Sequence, residues 1–321
     1  MPSPAPSIDY FCDVVRNEIE RANRFGRGFA LLEIRLGSPK ELERAVGEAQ
    51  LPGWLAGISE QLSRMLRSTD LLAVDRDRNF FMLLAEADAL GAAVFKRRTL
   101  QALESSELIT ALAGRLRNRP QLGVAAFPRD GSQLETLIEA LETRIQDEMI
   151  SPVDDLALED MPVADVLRAL LRRGVEEPAE TADQIARFLL GEVARRPRER
   201  GLLYAAPGLA LADAVHDGLE SLRNVPTRTE LIVISNADRP SLSAPGVTWV
   251  SPESTPGLPP CLIHYGDGPP YALVREEGQR GAPARLFHTS DRGLVEHLAF
   301  GLQQELALPQ GSRSPANGET R

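Results

Sequence analysis

The sequence predicts an α+β domain, with a central sheet that contains an antiparallel hairpin and is flanked by helices, followed by a second α/β domain. Three observations predict it. A length of 321 residues exceeds one ordinary core and suggests two domains of roughly 130–160 residues each. Apolar spacing up to about residue 147 alternates between helical and strand periods in the order α-β-α-β-β-α-β-α. The acidic, proline-bearing stretch ISPVDDLALEDMP then separates two sets of complete amphipathic patterns. The boundaries read as a first domain over 1–149, a linker over 150–162, a second domain over 163–307 and a tail over 308–321.

The elements follow in order. From about 9 to 25, Phe11, Val14, Val15, Ile19 and Ala22 recur at the spacing of an amphipathic helix, which Gly26 and Gly28 stop. FALLEIRL (29–36) reads as a strand, and the segment after Gly37 holds a short helix and a Pro/Gly break. A helix is expected over about 55–67, with Leu55, Ile58, Leu62, Met65 and Leu66 inward. Two strands, 70–74 and 79–85, flank the polar tip DRDRN. A helix over about 87–103, the strand QLGVAAF (121–127), the turn PRDG and a helix over 134–145 complete the domain. In the second domain, helices are expected near 163–173, 180–195 and 208–223, with strands GLLYAA (201–206) and ELIVISN (230–236). The shorter strands VTWV, CLIHY, YALVRE and ARLFH precede a last amphipathic helix over about 291–306. The tail PQGSRSPANGETR has no large apolar residue and is expected to be disordered.

Composition narrows the function. The apolar fraction of 43% and charged fraction of 26% are those of a soluble globular protein, and no apolar run approaches the roughly 20 residues of a membrane span. The start MPSPAPSIDY has neither the basic nor the apolar region of a secretory signal, so a cytoplasmic location is expected, with no membrane partner. A net charge of −10 argues against binding a nucleic-acid polymer. Cys12 and Cys261 are too few and too far apart for a disulfide framework or a metal cluster and read as free thiols.

Four stretches in order carry a resemblance. EIERANRFGRGFALLEIRL, RSTDLLAVDRDRNFFMLLAEAD, AAVFKRRTLQAL and LGVAAFPRDGSQLETLIEAL resemble the opening helix and strand, the signature hairpin, the intervening helix and the closing strand and helix of the GGDEF domain. That family comprises diguanylate cyclases, which join two GTP molecules into cyclic di-GMP. The resemblance implies a GGDEF-like fold over about 9–147. It also exposes departures. The family's tip reads Gly-Gly-Asp-Glu-Phe, in which glycines let backbone approach phosphate and carboxylates serve catalysis and hold a metal ion. Here the aligned residues are Arg76, Asp77, Arg78, Asn79 and Phe80. On the first strand the family's Asp-x-Asp is replaced by Glu33 and Arg35, and the segment that grips guanine is missing from SPKELERAVGEAQLPGW. Phosphoryl transfer needs a metal to neutralise developing charge, so the resemblance implies a degenerate domain with no catalytic residues and no cofactor. The plainer reading of DRDRN is a solvated tip in which Asp and Asn tolerate turn conformations.

Five residues before the tip stands Arg67-Ser68-Thr69-Asp70, matching the Arg-x-x-Asp site at which many cyclases bind their product away from catalysis. An arginine fork can meet phosphate or the O6/N7 edge of guanine, and a carboxylate can accept from guanine's other edge. Arg98 aligns with a secondary arginine of this site, with Arg97 as the alternative register. The competing reading makes Arg67 a helix-terminal arginine facing the helix dipole and Asp70 a strand entrance. In the second domain, Tyr204, His216, His264, His288 and His297 show no metal-ligand spacing, and Ser290-Asp291 reads as a helix N-cap. The expectation is therefore a bacterial signalling receptor for cyclic di-GMP that is not an enzyme and relays to a protein partner or to the second domain. A scaffold or dimerisation protein without nucleotide is the alternative, with homodimerisation left open. An enzyme or small-molecule sensor in the second domain is the third reading.

Overall fold

A computed structural model describes residues 6–112, 114–116, 119–150, 153, 158, 161–208, 211–222, 224–235, 247–277 and 283–308. The tail expected to be disordered and most of the expected linker lie outside these residues. The chain divides into two compact units, Met1–Ile150 and Ser151–Arg321. Among the described residues no helix is long and apolar enough to cross a membrane.

The first unit begins with α1 (Ile8–Phe25), where the Ser7 hydroxyl accepts from the Tyr10 N–H at 3.3 Å. Gly26 ends it with φ +66° and an N–H donated to the Ala22 carbonyl at 2.8 Å. Then follow β1 (Phe29–Arg35), α2 (Pro39–Val46), α3 (Leu51–Ser63), β2 (Leu71–Val74), β3 (Phe80–Ala85), α4 (Ala89–Glu104), α5 (Glu107–Thr110), β4 (Gln121–Phe127) and α6 (Leu134–Met149). The four strands pair in the order β2-β3-β1-β4, every neighbour antiparallel. This is the GGDEF-like α+β architecture that the sequence implied.

Both faces of the sheet are covered. On one, Leu32, Ile34, Phe80 and Met82 pack with Leu42 of α2, Ile58 of α3 and Leu103 of α4. On the other, Phe29, Leu31, Phe81 and Phe127 pack with Phe11 of α1 and Leu137 of α6. Phe29 stacks on Phe127 with ring centroids 5.0 Å apart. Each fully buried side chain of this kind contributes about 1.5–3 kcal/mol. Gly123 on β4 lets α6 close on the sheet, since a Cβ there would lie 2.6 Å from the Leu141 carbonyl oxygen.

Two expectations in this unit are corrected. The helix read over 55–67 runs instead over Leu51–Ser63, because the chain unwinds through 3₁₀-like bonds from Met65 to Leu62 and from Leu66 to Ser63. Arg67 is therefore four residues past the helix end. The short α5 carried no sequence signal, being a single turn whose Leu108 and Ile109 pack on the core.

The second unit contains α7 (Val163–Leu171), β5 (Val175–Glu177), α8 (Ala179–Arg195), β6 (Gly201–Ala206), α9 (Ala212–Leu222), β7 (Thr229–Ile234), β8 (Val247–Val250), β9 (Cys261–Gly266), β10 (Tyr271–Arg275), β11 (Ala284–Thr289) and α10 (Arg292–Glu305). Its seven strands form one sheet in the order β5-β11-β10-β9-β6-β7-β8. Only the β6–β7 and β7–β8 pairs are parallel; the others are antiparallel. The α/β pattern thus applies to one half of the sheet, and hairpin chemistry builds the other. Strand β5 was not expected, because three residues carry no readable period. Asp291 caps α10 as expected, its Oδ1 accepting from the Leu294 N–H at 2.8 Å. Cys12 is partly buried and Cys261 fully buried, and neither is in a disulfide; burial pushes the Cys261 thiol up to about 12.

Each unit has a core of its own. Fragments 1–150 and 160–308 are therefore expected to be soluble and to melt cooperatively by circular dichroism; aggregation of both would refute independent folding.

Candidate functional site

The hairpin tip is closed by its own first residue. The Asp75 N–H donates to the Asn79 carbonyl at 3.0 Å, and the Asp75 carbonyl accepts from the Arg78 N–H at 3.2 Å. Its carboxylate takes the Asn79 N–H at 2.8 Å through Oδ1 and the Asn79 side-chain amide at 3.1 Å through Oδ2. This is a three-residue loop whose last residue is left-handed, a position that favours glycine. Arg78 holds it, at φ +69°. The Asp and Asn that were expected to absorb the unusual backbone instead flank it. Arg76 and Asp77 are exposed, and Phe80 is buried in the core.

Arg78 does not point into solvent. Its Nη1 donates to the Pro39 carbonyl at 2.7 Å and its Nη2 to Glu43 Oε1 at 2.6 Å, so the tip is fastened to α2. These contacts offset a left-handed conformation that costs about 1–2 kcal/mol in a residue with a Cβ.

A second polar group sits on the face covered by α6. Glu33 is buried to 2% exposure on β1, and Arg35 Nε, two residues along on the same face, donates to its Oε1 at 2.6 Å. Burial pushes the Glu33 carboxyl up, and the Arg35 hydrogen bond and charge draw it partly back, while Asp75 and Glu142 add raising influences through space. The same carboxylates hold the Arg35 guanidinium in its charged form more firmly than usual, against its own desolvation. Among the described residues no three His, Cys, Asp or Glu side chains come together as a metal-holding group.

The segment Arg67 to Asp70 is a turn. The Asp70 N–H donates to the Arg67 carbonyl at 3.1 Å, and Asp70 Oδ2 accepts from the Arg67 N–H at 2.9 Å. Asp70 Oδ1 accepts from the Ala85 N–H at 3.1 Å, which ties the start of β2 to the end of β3. The Arg67 side chain is exposed. Arg97 and Arg98 lie on α4, Arg98 exposed and Arg97 half-buried. In the second unit, Tyr271 and His288 stack and share a hydrogen bond of 2.8 Å, and burial lowers the His264 imidazole, whose Nδ1 lies 3.3 Å from the Pro269 carbonyl. His216 is exposed on α9, and His297 lies on α10.

Residues 6–148 match the family described as diguanylate cyclase, GGDEF domain. The first unit is a GGDEF domain. Solved structures similar to the chain include the GGDEF domain of YfiN (TpbB) from Pseudomonas aeruginosa, at 20% identity over 44% of this chain and 88% of that one, with a TM-score of 0.38. The diguanylate cyclase SiaD of Pseudomonas aeruginosa, solved in complex with its activator SiaC, is 18% identical over 46% of this chain and 56% of that one, with a TM-score of 0.40. DgcB of Caulobacter crescentus, solved in complex with cyclic di-GMP, is 13% identical over 44% of this chain and 75% of that one, with a TM-score of 0.37. No curated protein matches the chain.

Sequence reasoning singled out every tip residue of the GGDEF domain but missed the partners Pro39, Glu43 and Glu142. Glu43 lies 35 residues from Arg78, and no local period links them. The pairing of Asp75 with Asn79 was legible, since an Asx side chain at a hairpin entrance commonly bonds backbone beyond it.

The strained backbone and the α2 contacts at Arg78 give an ordered expectation. Arg78→Ala keeps the left-handed strain and loses both side-chain bonds, and should cost about 1–2 kcal/mol in urea unfolding. Arg78→Gly loses the same bonds but relieves about 1 kcal/mol of strain, so it should fall between Ala and the parent. A glycine variant less stable than the alanine variant would refute the account.

Proposed function

We propose that this GGDEF-domain signalling protein is a receptor for cyclic di-GMP and not a cyclase. The ligand is taken up at Arg67 and Asp70, with Arg98 or Arg97 as a second contact, and the bound state is relayed to a protein partner or to the second unit. The observation that carries the receptor reading is the turn before β2. The Asp70 carboxylate fixes that turn through two backbone N–H groups, leaving the Arg67 guanidinium exposed beside a rigid strand entrance. An arginine fork so held suits a phosphodiester or the O6/N7 edge of guanine.

Two ion pairs support the loss of cyclase chemistry. At the positions where the resemblance implies metal-holding carboxylates, Arg78 is bonded to Pro39 and Glu43, and Arg35 to Glu33. Each guanidinium brings a fixed positive charge where the reaction requires a divalent ion between carboxylates and phosphates. One observation favours the second reading, a scaffold that binds no nucleotide: both Asp70 oxygens already accept backbone hydrogen bonds.

Overnight incubation with GTP and magnesium or manganese is expected to yield no cyclic di-GMP by chromatography. A product peak that disappears in Glu33→Ala would overturn the inactive reading.

Calorimetric titration with cyclic di-GMP separates receptor from scaffold. A charge-assisted contact of about 1.5–3 kcal/mol makes Arg67→Ala weaker by roughly ten- to a hundredfold, with Arg78→Ala within about twofold of the parent. Asp70→Ala should lose affinity and also stability, because it frees the Arg67 and Ala85 N–H groups. Absence of heat with the parent protein favours the scaffold, and an unchanged affinity in Arg67→Ala places the ligand elsewhere.

A further inference from the structure

In the second unit a cavity of about 610 Å³ opens beyond the carboxyl ends of β6 and β7. Its size is that of a site for a small organic molecule. One wall is the segment 251–259 between β8 and β9, which brings Pro252, Gly257 and Leu258 to the lining.

This segment is fastened at its ends. Before it, the Val250 carbonyl accepts from the Ser235 N–H at 3.2 Å, and after it the Pro260 carbonyl accepts from the Arg275 N–H at 2.8 Å. Between these points its hydrogen bonds are internal. The Ser251 hydroxyl accepts from the Glu253 N–H at 3.4 Å, the Thr255 N–H donates to the Pro252 carbonyl at 3.1 Å, and the Leu258 N–H donates to the Thr255 carbonyl at 3.3 Å. Among the described residues one hydrogen bond joins it to another element: Arg168 Nη2 of α7 donates to the Gly257 carbonyl at 2.9 Å. Asp165, three residues earlier on α7, pairs with the other end of that guanidinium. Gly257 permits the approach, with φ +74° and no Cβ, which would stand 2.4 Å from Nη2. Arg168 is exposed, so its bond exchanges with water, and a segment held in this way opens more readily than the sheet beside it.

The interior is neutral. The half-buried ring of Trp249 on β8 and the half-buried Ala212 and Leu258 face a floor that includes Val215 of α9 and Val233 of β7. Among the described lining residues none is lysine or arginine, and the one carboxylate, Glu277, has an interaction of its own within the protein. A charged ligand would lose hydration here without a counter-charge to replace it. A neutral ring gains in proportion to the apolar area it covers.

We infer that this cavity is a binding site for a neutral, apolar ring compound, and that the segment 251–259 is a strap over it, latched by Arg168. The ring lies against Trp249, and release of the Gly257 carbonyl admits it. The site belongs to the second unit and does not depend on the nucleotide reading of the first.

The test is fluorescence titration of the full chain with two probes that share their rings and differ in charge, neutral N-phenyl-1-naphthylamine and anionic 1-anilinonaphthalene-8-sulfonate. The neutral probe is expected to bind saturably, with one probe per chain, and at least about tenfold more tightly than the sulfonate. Ala212→Phe, which adds a ring at a half-buried lining position, should weaken the neutral probe at least about tenfold while its melt by circular dichroism stays that of the parent or moves higher. By stopped flow, Arg168→Ala should speed both entry and release of the neutral probe by about two- to tenfold, the value of one hydrogen bond, and leave its affinity within about threefold of the parent. An arginine with a structural role alone would lower the melting temperature and leave both rates unchanged. Absence of saturable binding by the neutral probe, equal affinity for the sulfonate, full binding in Ala212→Phe, or unaltered rates in Arg168→Ala would each overturn the inference.

Discussion

A strand covered on both faces cannot carry an unpaired charge, and the first unit is organised around that constraint. Strand β1 lies inside the sheet between β3 and β4, with α1 and α6 on one side and the remaining helices on the other. Its sequence FALLEIR is buried from Phe29 to Ile34, so Glu33 enters the interior with its neighbours. Isolated carboxylates are expelled from such surroundings or protonated. Arg35 opposes both, reaching back along the same face to bond it, while burial still holds the carboxyl above its usual range. The positive charge that this place requires is thereby part of the chain itself.

The hairpin shows the same economy at its exposed end. Strand β2 is bracketed by two aspartates, and each folds its carboxylate onto backbone N–H groups. Asp70 closes the turn before the strand and Asp75 closes the tip after it. With both ends fixed, Arg78 can be held in a left-handed conformation and directed at α2. The tip is a tie between the hairpin and the helix that follows β1. That tie also explains why Arg78 is half-buried while Arg67 is exposed, although both flank one short strand.

In the second unit the sheet changes from parallel to antiparallel pairing at β6, and a cavity opens beyond the carboxyl ends of β6 and β7. Were the sheet antiparallel throughout, a hairpin would close the end of β6; the crossover through α9 leaves that end open. Tyr204 on the same strand is fully buried, and burial pushes its hydroxyl well above the usual range, so it remains neutral. Tyr265 on β9 is placed differently, donating to Glu296 of α10 at 2.5 Å. Neighbouring strands thus use the same side chain once as inert filling and once as a clasp to a helix.

The sequence by itself determined the secondary elements of both units with few exceptions, the hairpin and its tip, the GGDEF resemblance and the substitutions Glu33, Arg35, Arg78 and Asn79. These are local properties: hydrophobic period, turn composition and motif spacing act within a few residues. It also placed Arg67 and Asp70 on one turn, because three residues of separation leave little freedom. Only the tertiary structure decided what each charge does. The Arg78–Glu43 pair spans 35 residues, the influence of Glu142 on Glu33 links the last helix of the first unit to its first strand, and the end of α3 depends on how the chain must turn to enter β2. The cavity of the second unit was invisible for the same reason. Gly208, Val233, Thr255 and Glu277 have no common period, and they meet only because β6 and β7 end side by side in the sheet.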